Sequence, residues 1–285
     1  MFFLIPTCLL ALLPLISGCA DHLDSSQYTA PLHKQKRQLT TIDTGRKETF
    51  WRYDASYDWG KIEPNYGTCQ NGTRQSPIAL SRAGGLSNYH QPTFEYTGKN
   101  MTGNFINWGH GPAFTLYHPE GDFSGLPKMV FEDGGEDEEV FLIGWHIHSP
   151  ADHTVDGYRS KSELHLVHAN AQGEPRAVVG IRIDPGKADS AFVASLPTPF
   201  IGFNETMAYS NTQLDLFEPL REVAELTEFW TYKGSLTSPP CEEGIRWFVA
   251  RTIMYVDVEQ MREVLHVSTF SARVEQQVWQ HEINV

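Results

Sequence analysis

The sequence is short of basic residues: it has 22 Lys and Arg against 35 Asp and Glu, and its formal net charge is −13 with His neutral. Proteins that bind a phosphate backbone concentrate Lys and Arg, so we expect no nucleic-acid partner. Charged residues of both signs make up only 20% of the chain and hydrophobic residues 40%, which excludes a disordered tail protein and a long coiled coil. With 23 Gly and 17 Pro, the composition favours a globular protein rich in strands and loops.

An extended apolar run stands at the start of the chain, from Phe2 to Ile16, and two prolines interrupt it. It is too short and too interrupted to span a bilayer stably, and small residues follow at positions 17, 18 and 20, as signal peptidase requires. We therefore predict a secretory signal peptide over residues 1–20 and no transmembrane segment in the mature chain. A buried core helix and a bacterial lipoprotein box at Cys19 are the alternatives.

Residues 21–49 are polar and lack apolar periodicity. They form either a disordered linker or a pro-segment, which a processing protease would remove after Arg37 of the dibasic pair Lys36-Arg37.

Cysteine is scarce, with four in the chain. Cys8 and Cys19 lie in the predicted signal peptide, so Cys69 and Cys241 remain, and an oxidising compartment would pair them. Acceptor sequons for N-glycosylation also suit a eukaryotic secretory route, and they begin at Asn71, Asn100 and Asn204. We therefore predict a secreted, extracellular glycoprotein with one disulfide bond.

The body of the chain, residues 50–285, contains no evident linker or repeat and is predicted to be one domain. Runs typical of strands, bounded by turn formers, are Ala113–Tyr117, Lys128–Glu132, Val140–His148, Ser162–His168, Ala177–Ile183 and Arg246–Met254. Helical signals are few: Ala188–Leu196, Val258–Leu265 with Asp257 as N-cap, and a helical composition over Glu218–Glu228. The pattern predicts a mainly antiparallel β domain.

An acidic run occupies residues 132–139. It lacks the ordered spacing of oxygen ligands that a calcium loop needs. We expect a solvated loop between two strands.

Histidines are concentrated in one region. Five of the twelve fall within 23 residues: His146, His148, His153, His165 and His168. Because side chains alternate faces along a strand, His146 and His148 share one face, as do Glu163 and His165, while His168 faces away. If the turn-rich segment 149–161 pairs the two strands antiparallel, three imidazoles converge on one point.

Three neutral imidazoles suit Zn²⁺, which binds tetrahedrally and keeps its fourth position for water in catalytic sites. Glu163 is placed to accept a hydrogen bond from a ligating histidine and so fix its tautomer. A cupin-type iron or manganese site is the alternative, since it also begins with His-x-His on a β scaffold. That motif wants a glutamate about four residues later, where this chain has Asp152.

Several blocks, in order along the body, resemble the α-class carbonic anhydrases. They are Gln75-Ser76-Pro77-Ile78, Asn107-Trp108-Gly109-His110, Trp145-His146-Ile147-His148, Asp152–Gly157, Glu163–His168, Gly234–Cys241, Glu243-Gly244 and Arg246-Trp247. The resemblance covers nearly the whole chain from Phe50. It implies a single domain built on a large twisted, mostly antiparallel sheet with a few short surface helices.

The resemblance also implies zinc-dependent, reversible hydration of carbon dioxide, a small-molecule substrate, to bicarbonate and a proton, with zinc-bound hydroxide as nucleophile. The ligands would be His146, His148 and His165, with Thr237 as the hydroxyl that accepts a hydrogen bond from that hydroxide, Asp152 as its acidic partner and His110 as proton shuttle. Glu163, His153 and Tyr232 would form the network beneath the metal. Val167, Val178, Leu236 and Trp247 would form the apolar wall, with Tyr53 and Ser238 on the polar wall, and Cys69–Cys241 would match the disulfide of secreted members.

The chain departs from the family pattern at several positions. Asp152 stands where glutamate is usual, so its hydrogen bond to Thr237 requires the loop to move inward or a water to bridge. Gly144 replaces a glutamine that holds the first zinc histidine. Trp108 replaces a small amide beside His110, Gly111-Pro112 is an insertion after it, and either change would restrict the swing of His110.

A non-catalytic relative that keeps the fold as a binding or storage protein is the main alternative function. Such relatives commonly lose one or more ligand histidines, and all three are present here. The retained ligands favour the enzyme.

Overall fold

Strands dominate the computed structural model, which describes residues 51–96, 100–205 and 207–285. The predicted signal peptide, the predicted linker or pro-segment with its dibasic site, and Cys8 and Cys19 lie outside the described residues. The strands are β1 (Ala79–Leu80), β2 (Thr93–Glu95), β3 (Met101–Asn107), β4 (Pro112–Leu116), β5 (Lys128–Asp133), β6 (Glu136–His148), β7 (Thr154–Val155), β8 (Tyr158–Arg159), β9 (Ser162–Ala169), β10 (Pro175–Pro185), β11 (Tyr209–Leu214), β12 (Phe229–Ser235), β13 (Glu243–Ala250) and β14 (Met254–Val256).

Eleven of these strands form one sheet, with the central order β11-β3-β4-β6-β9-β10-β13-β12. Strand β14 pairs with β10, β5 pairs with β6, and β2 pairs with β5. Most pairs are antiparallel, whereas β10 runs parallel to β13 and β14. The prediction of a large, mostly antiparallel sheet is confirmed. Strands β1, β7 and β8 form a separate three-stranded sheet.

The α-helices are short: α1 (Thr68–Asn71), α2 (Ala191–Ala194), α3 (Glu218–Glu222) and α4 (Val258–His266), with 3₁₀ turns at Tyr53–Lys61, Pro64–Tyr66 and Ala224–Leu226. The Asp257 side chain caps α4 by accepting from the Glu259 amide, as predicted. The helical composition of Glu218–Glu228 does not produce one helix, because residues 224–226 adopt positive φ angles of 57°, 53° and 58°. No helix in the described part of the chain is long and apolar enough to cross a membrane.

The acidic run is not a loop, so that prediction was wrong. Strands β5 and β6 continue through it and pair Glu132 with Asp137 and Asp133 with Glu136. Gly134 and Gly135 make the turn with φ angles of 69° and 90°, a geometry that two-residue hairpins favour and that glycine adopts without strain. Part of the acidic charge is offset, because Asp133 accepts from the Arg246 guanidinium at 2.7 Å.

The long central strands β6 and β9 separate two chemically different faces. Trp145, Ile147, Leu164 and Leu166 belong to the buried apolar core, and each side chain of this size stabilises the fold by roughly 1.5–3 kcal/mol on burial. The pairing of the two strands is regular from Gly144 to His148. Side chains alternate there, so this apolar packing holds the intervening histidines on the opposite face. The core therefore sets the register of the candidate site.

Candidate metal centre

Three histidines converge where β6 and β9 run side by side. His146 lies directly opposite His165 in the antiparallel register, and His148 is two residues further along β6. One ring nitrogen from each of His146, His148 and His165 lies within 4.8 Å of the others, and all three side chains are buried. His146 Nε2 and His148 Nε2 are 3.0 Å apart.

Hydrogen bonds fix which ring nitrogens carry lone pairs. His148 Nδ1 donates to the Ser271 carbonyl at 2.7 Å, and His165 Nε2 donates to Glu163 Oε1 at 3.0 Å. The nitrogens left free to bind a metal are therefore His148 Nε2 and His165 Nδ1. Burial lowers the pKa of His148, which favours the neutral form that binds a cation. A compact set of three imidazoles matches ligands about 2.0–2.1 Å from one Zn²⁺, so these residues fit the metal that the family pattern implies.

A polar network lies beneath the cluster. Glu163 accepts from His153 Nδ1 at 2.6 Å and from the His153 amide at 2.9 Å, and the Tyr232 hydroxyl lies 2.7 Å from His153 Nε2. Burial alone would raise the pKa of Glu163, but His153 and His165 hold it well below its usual range, so this carboxylate is ionised. A side chain on Gly180 would come within 2.9 Å of Glu163 Oε1, so glycine at that position leaves room for the network.

Apolar side chains form a row beside His165. Val167 pairs with Val178, which pairs with Trp247, across β9, β10 and β13. The Trp247 ring lies 4.9 Å from the His165 ring between centroids. Leu236, Thr237 and Ser238 follow β12, and all three are buried.

His110 lies in an aromatic pocket beside the cluster, formed by Trp108, Tyr53 and Trp51. Its ring centroid is 4.7 Å from Trp108, 5.1 Å from Tyr53 and 6.2 Å from Trp51, and its Nδ1 is 2.7 Å from Thr269 Oγ1. Burial, with a smaller contribution from His148, lowers the pKa of His110 to about 4. The departures at Trp108 and Gly111-Pro112 were expected to restrict the swing of His110, and the structure holds its ring among aromatic neighbours.

Trp108 packs against both His110 and two of the metal-ligand candidates. Its ring centroid is 5.1 Å from both His146 and His148, and its indole donates to the Ile147 carbonyl at 3.2 Å. The indole is therefore in contact with both the proposed shuttle and the cluster.

Asp152 does not make the hydrogen bond to Thr237 that the family pattern implies. Its Oδ1 accepts from the Arg273 amide at 2.8 Å, and its Oδ2 has no hydrogen-bond partner among the described residues. The aspartate side chain is one methylene shorter than glutamate, and the Arg273 segment holds one of its oxygens. Oδ2 lies 3.7 Å from His148 Nδ1 instead.

The predicted disulfide between Cys69 and Cys241 is present. It joins α1 to the segment that carries Thr237, where the Cys241 amide donates to the Ser238 carbonyl at 2.9 Å. The three sequon asparagines, Asn71, Asn100 and Asn204, are all exposed. Their glycosylation stays a prediction.

Sequence reasoning missed three residues that hold the site. Ser271 supplies a backbone carbonyl to His148, Arg273 supplies a backbone amide to Asp152, and Thr269 bonds His110. Two of these contacts use main-chain atoms, which carry no residue-type signature. All three lie more than a hundred residues along the chain from their partners, so no local spacing could reveal them.

The fold and the site together define a β-sheet protein with a buried three-histidine centre suited to zinc. The model of the eukaryotic-type carbonic anhydrase family matches residues 54–281, and the chain belongs to that family, whose enzymes interconvert carbon dioxide and bicarbonate. Alpha carbonic anhydrase 4 of Arabidopsis thaliana is 31% identical over 205 residues, covering 71% of this chain and 70% of the relative.

Solved structures share the fold. The α-carbonic anhydrase of Thermovibrio ammonificans, in complex with the inhibitor sulfanilamide, is 25% identical with a TM-score of 0.64, covering 79% of this chain and 92% of that one. Dioscorin complexed with ascorbate is 24% identical with a TM-score of 0.63, covering 81% of this chain and 93% of that one. The second likeness concerns the fold alone.

Proposed function

We propose that this chain is a secreted zinc enzyme that reversibly hydrates carbon dioxide to bicarbonate and a proton, with His146, His148 and His165 as the zinc ligands. The observation that carries the proposal is the convergence of three buried imidazoles within 4.8 Å. Acceptors at Ser271 and Glu163 leave lone pairs on His148 Nε2 and His165 Nδ1. Zinc in such a site lowers the pKa of a coordinated water to about 7, the value established for carbonic anhydrases, and so makes hydroxide available at neutral pH.

The protein's own groups would bind and orient the substrate. Carbon dioxide is linear and apolar, so it suits the wall formed by Val167, Val178, Leu236 and Trp247. The contact between the Trp247 and His165 rings brings this wall against the cluster. We assign to the Thr237 hydroxyl the orientation of the attacking oxygen, and to Tyr53 and Ser238 a place on the polar side.

Each turnover must also export a proton, and we assign that step to His110. Histidine is the side chain whose ordinary pKa suits proton transfer near neutral pH. The aromatic surroundings that lower the pKa of His110 to about 4 make it a weak acceptor at pH 7 while its ring stays inside. Export should therefore be slow and should depend on added buffer.

The decisive experiment measures zinc content and carbon dioxide hydration on one preparation of the purified chain, between about pH 6 and pH 9. The proposal expects one zinc per chain and a hydration rate that disappears when a chelator removes the metal. Bound zinc with no hydration at any pH would favour the non-catalytic alternative, and the lack of zinc binding would overturn both the metal and the reaction.

A further inference from the structure

Asp152 is a buried carboxylate placed next to a metal-ligand candidate. It follows His148 by four residues, in the segment between β6 and β7, and is 0% exposed. Burying a charged carboxylate is unfavourable unless its oxygens are paired. Its Oδ1 accepts from the Arg273 amide at 2.8 Å. Its Oδ2 atom has no hydrogen-bond partner among the described residues, so the burial of this oxygen needs an explanation.

The group nearest to that oxygen is the imidazole of His148. Oδ2 lies 3.7 Å from His148 Nδ1, the atom that donates to the Ser271 carbonyl at 2.7 Å. The Nδ1–H group of His148 therefore has a close neutral acceptor and a carboxylate just beyond it.

One short backbone segment holds both partners in place. Ser271 and Arg273 are two residues apart, and they supply the carbonyl to His148 and the amide to Asp152. Two reciprocal hydrogen bonds join this segment to Ser149, the residue after His148. The Ser271 amide donates to the Ser149 carbonyl at 2.9 Å, and the Ser149 amide donates to Ser271 Oγ at 3.0 Å. The carboxylate is thus aimed by the same segment that orients the imidazole.

We propose that Asp152 is a positioning residue for the metal ligand His148, whose tautomer and donor strength it supports, and not the acceptor for the Thr237 hydroxyl. A ligating histidine whose other nitrogen faces a carboxylate or carbonyl is held in one orientation and becomes more basic toward the metal. Neither oxygen of Asp152 hydrogen-bonds to Thr237 in the described residues. The inference rests on the metal site of the proposed function, and it departs from the role that the family pattern assigns to this position.

The test compares Asp152→Asn, which keeps the shape and removes the charge, with Thr237→Ala. Zinc affinity is measured by competition with a chelator, and turnover is measured at saturating zinc. We expect Asp152→Asn to lose zinc affinity about tenfold or more, within the 10–100-fold range for such partners, while kcat at saturating zinc changes by less than the affinity does. Thr237→Ala should lower kcat and leave zinc affinity near that of the wild type.

The opposite pattern would overturn the inference. If Asp152→Asn retains wild-type zinc affinity but loses as much kcat as Thr237→Ala, and the double variant loses no more, Asp152 serves the threonine. Asp152→Glu gives a second test that does not need the neutral variant to fold. If Asp152 positions His148, the longer side chain should lower zinc affinity. If Asp152 accepts a hydrogen bond from the Thr237 hydroxyl, the longer side chain should raise kcat and leave zinc affinity unchanged.

Failure of the inference is distinguishable from failure of the proposed function. Wild-type protein that binds no zinc overturns the metal site itself. Wild-type protein that binds zinc, with unchanged affinity in both Asp152 variants, overturns only the role of Asp152. The affinity measurement is informative even if the wild type does not hydrate carbon dioxide.

Discussion

The two sides of the three-histidine cluster are built from different chemistry. On one side, which we call the floor, Glu163, His153 and Tyr232 form a buried polar network with contacts of 2.6–3.0 Å. On the other side, which we call the mouth, Trp108 and other aromatic rings surround His110, whose ring has one hydrogen bond among the described residues, to Thr269. The floor can hold a ligand in one orientation and one charge state, whereas the mouth is an aromatic, largely buried setting for a group that has to titrate. We infer that metal binding and proton export are under separate structural control.

The largest effect should come from removing His165, the metal-ligand candidate that is hydrogen-bonded to Glu163 of the floor. We expect His165→Ala to abolish zinc retention, because two imidazoles cannot complete a three-nitrogen site, and the measurement is metal content after dialysis. His168→Ala is the matched control, since His168 lies three residues along β9 and is equally buried, but contacts Tyr96 on the other face. Equal zinc loss in both variants would mean that the strand, not the ligand, is responsible.

A smaller effect on the same side should follow Glu163→Gln. The amide keeps the shape, but it removes the negative charge that faces His153 and His165. We expect zinc affinity to fall by about 10–100-fold, measured by chelator competition. Glu174→Gln, at an exposed turn, should leave affinity unchanged. If Glu163→Gln binds zinc as the wild type does, the floor does not tune the metal.

The contrast between floor and mouth also separates what the sequence could predict from what it could not. Period-two alternation placed His146, His148, Glu163 and His165 on one face, and the antiparallel pairing of β6 with β9 was expected from the turn-rich segment between them. Those features are local, because one hairpin carries them. The three ligand candidates and Glu163 were therefore predictable from spacing, whereas His153 and Tyr232 were expected only from the resemblance to the family.

The surroundings of His110 in the mouth could not be predicted from the sequence in the same way. Trp51 and Thr269 surround His110 from opposite ends of the chain, and no spacing rule joins segments so far apart. A Gly-flanked histidine suggests mobility when only its neighbours in sequence are considered, and the packing of aromatic rings against it overrides that signal. Similarly, the direction of the Asp152 carboxylate is set by a main-chain amide at Arg273.

Opening the mouth should speed proton export. Trp108→Asn removes the indole that contacts both His110 and the ligand candidates, and it admits water between them. We expect hydration in weak buffer to rise by up to about tenfold, which corresponds to roughly 1.4 kcal/mol in the barrier, with little change in strong buffer.

The gain must depend on His110 if that residue is the shuttle. The single variant His110→Ala should keep zinc and slow turnover mainly in weak buffer. The double variant Trp108→Asn/His110→Ala should lose the improvement seen in Trp108→Asn. An equal improvement without His110 would show that water alone carries the proton and would remove the shuttle assignment.

The smallest effect concerns the stability of the metal-free protein at acid pH. The folded pKa of His110 is about 4, below its ordinary value of 6.5, because its ring is buried and close to His148. Between these two values the unfolded chain binds a proton that the folded chain does not, so stability decreases as pH falls from 6.5 towards 4. After allowance for partial exposure, we expect His110 to account for on the order of 1 kcal/mol of that loss. Urea unfolding of the wild type and His110→Gln across this window measures it, and parallel pH profiles for the two proteins would mean that the mouth does not disfavour the charged imidazole.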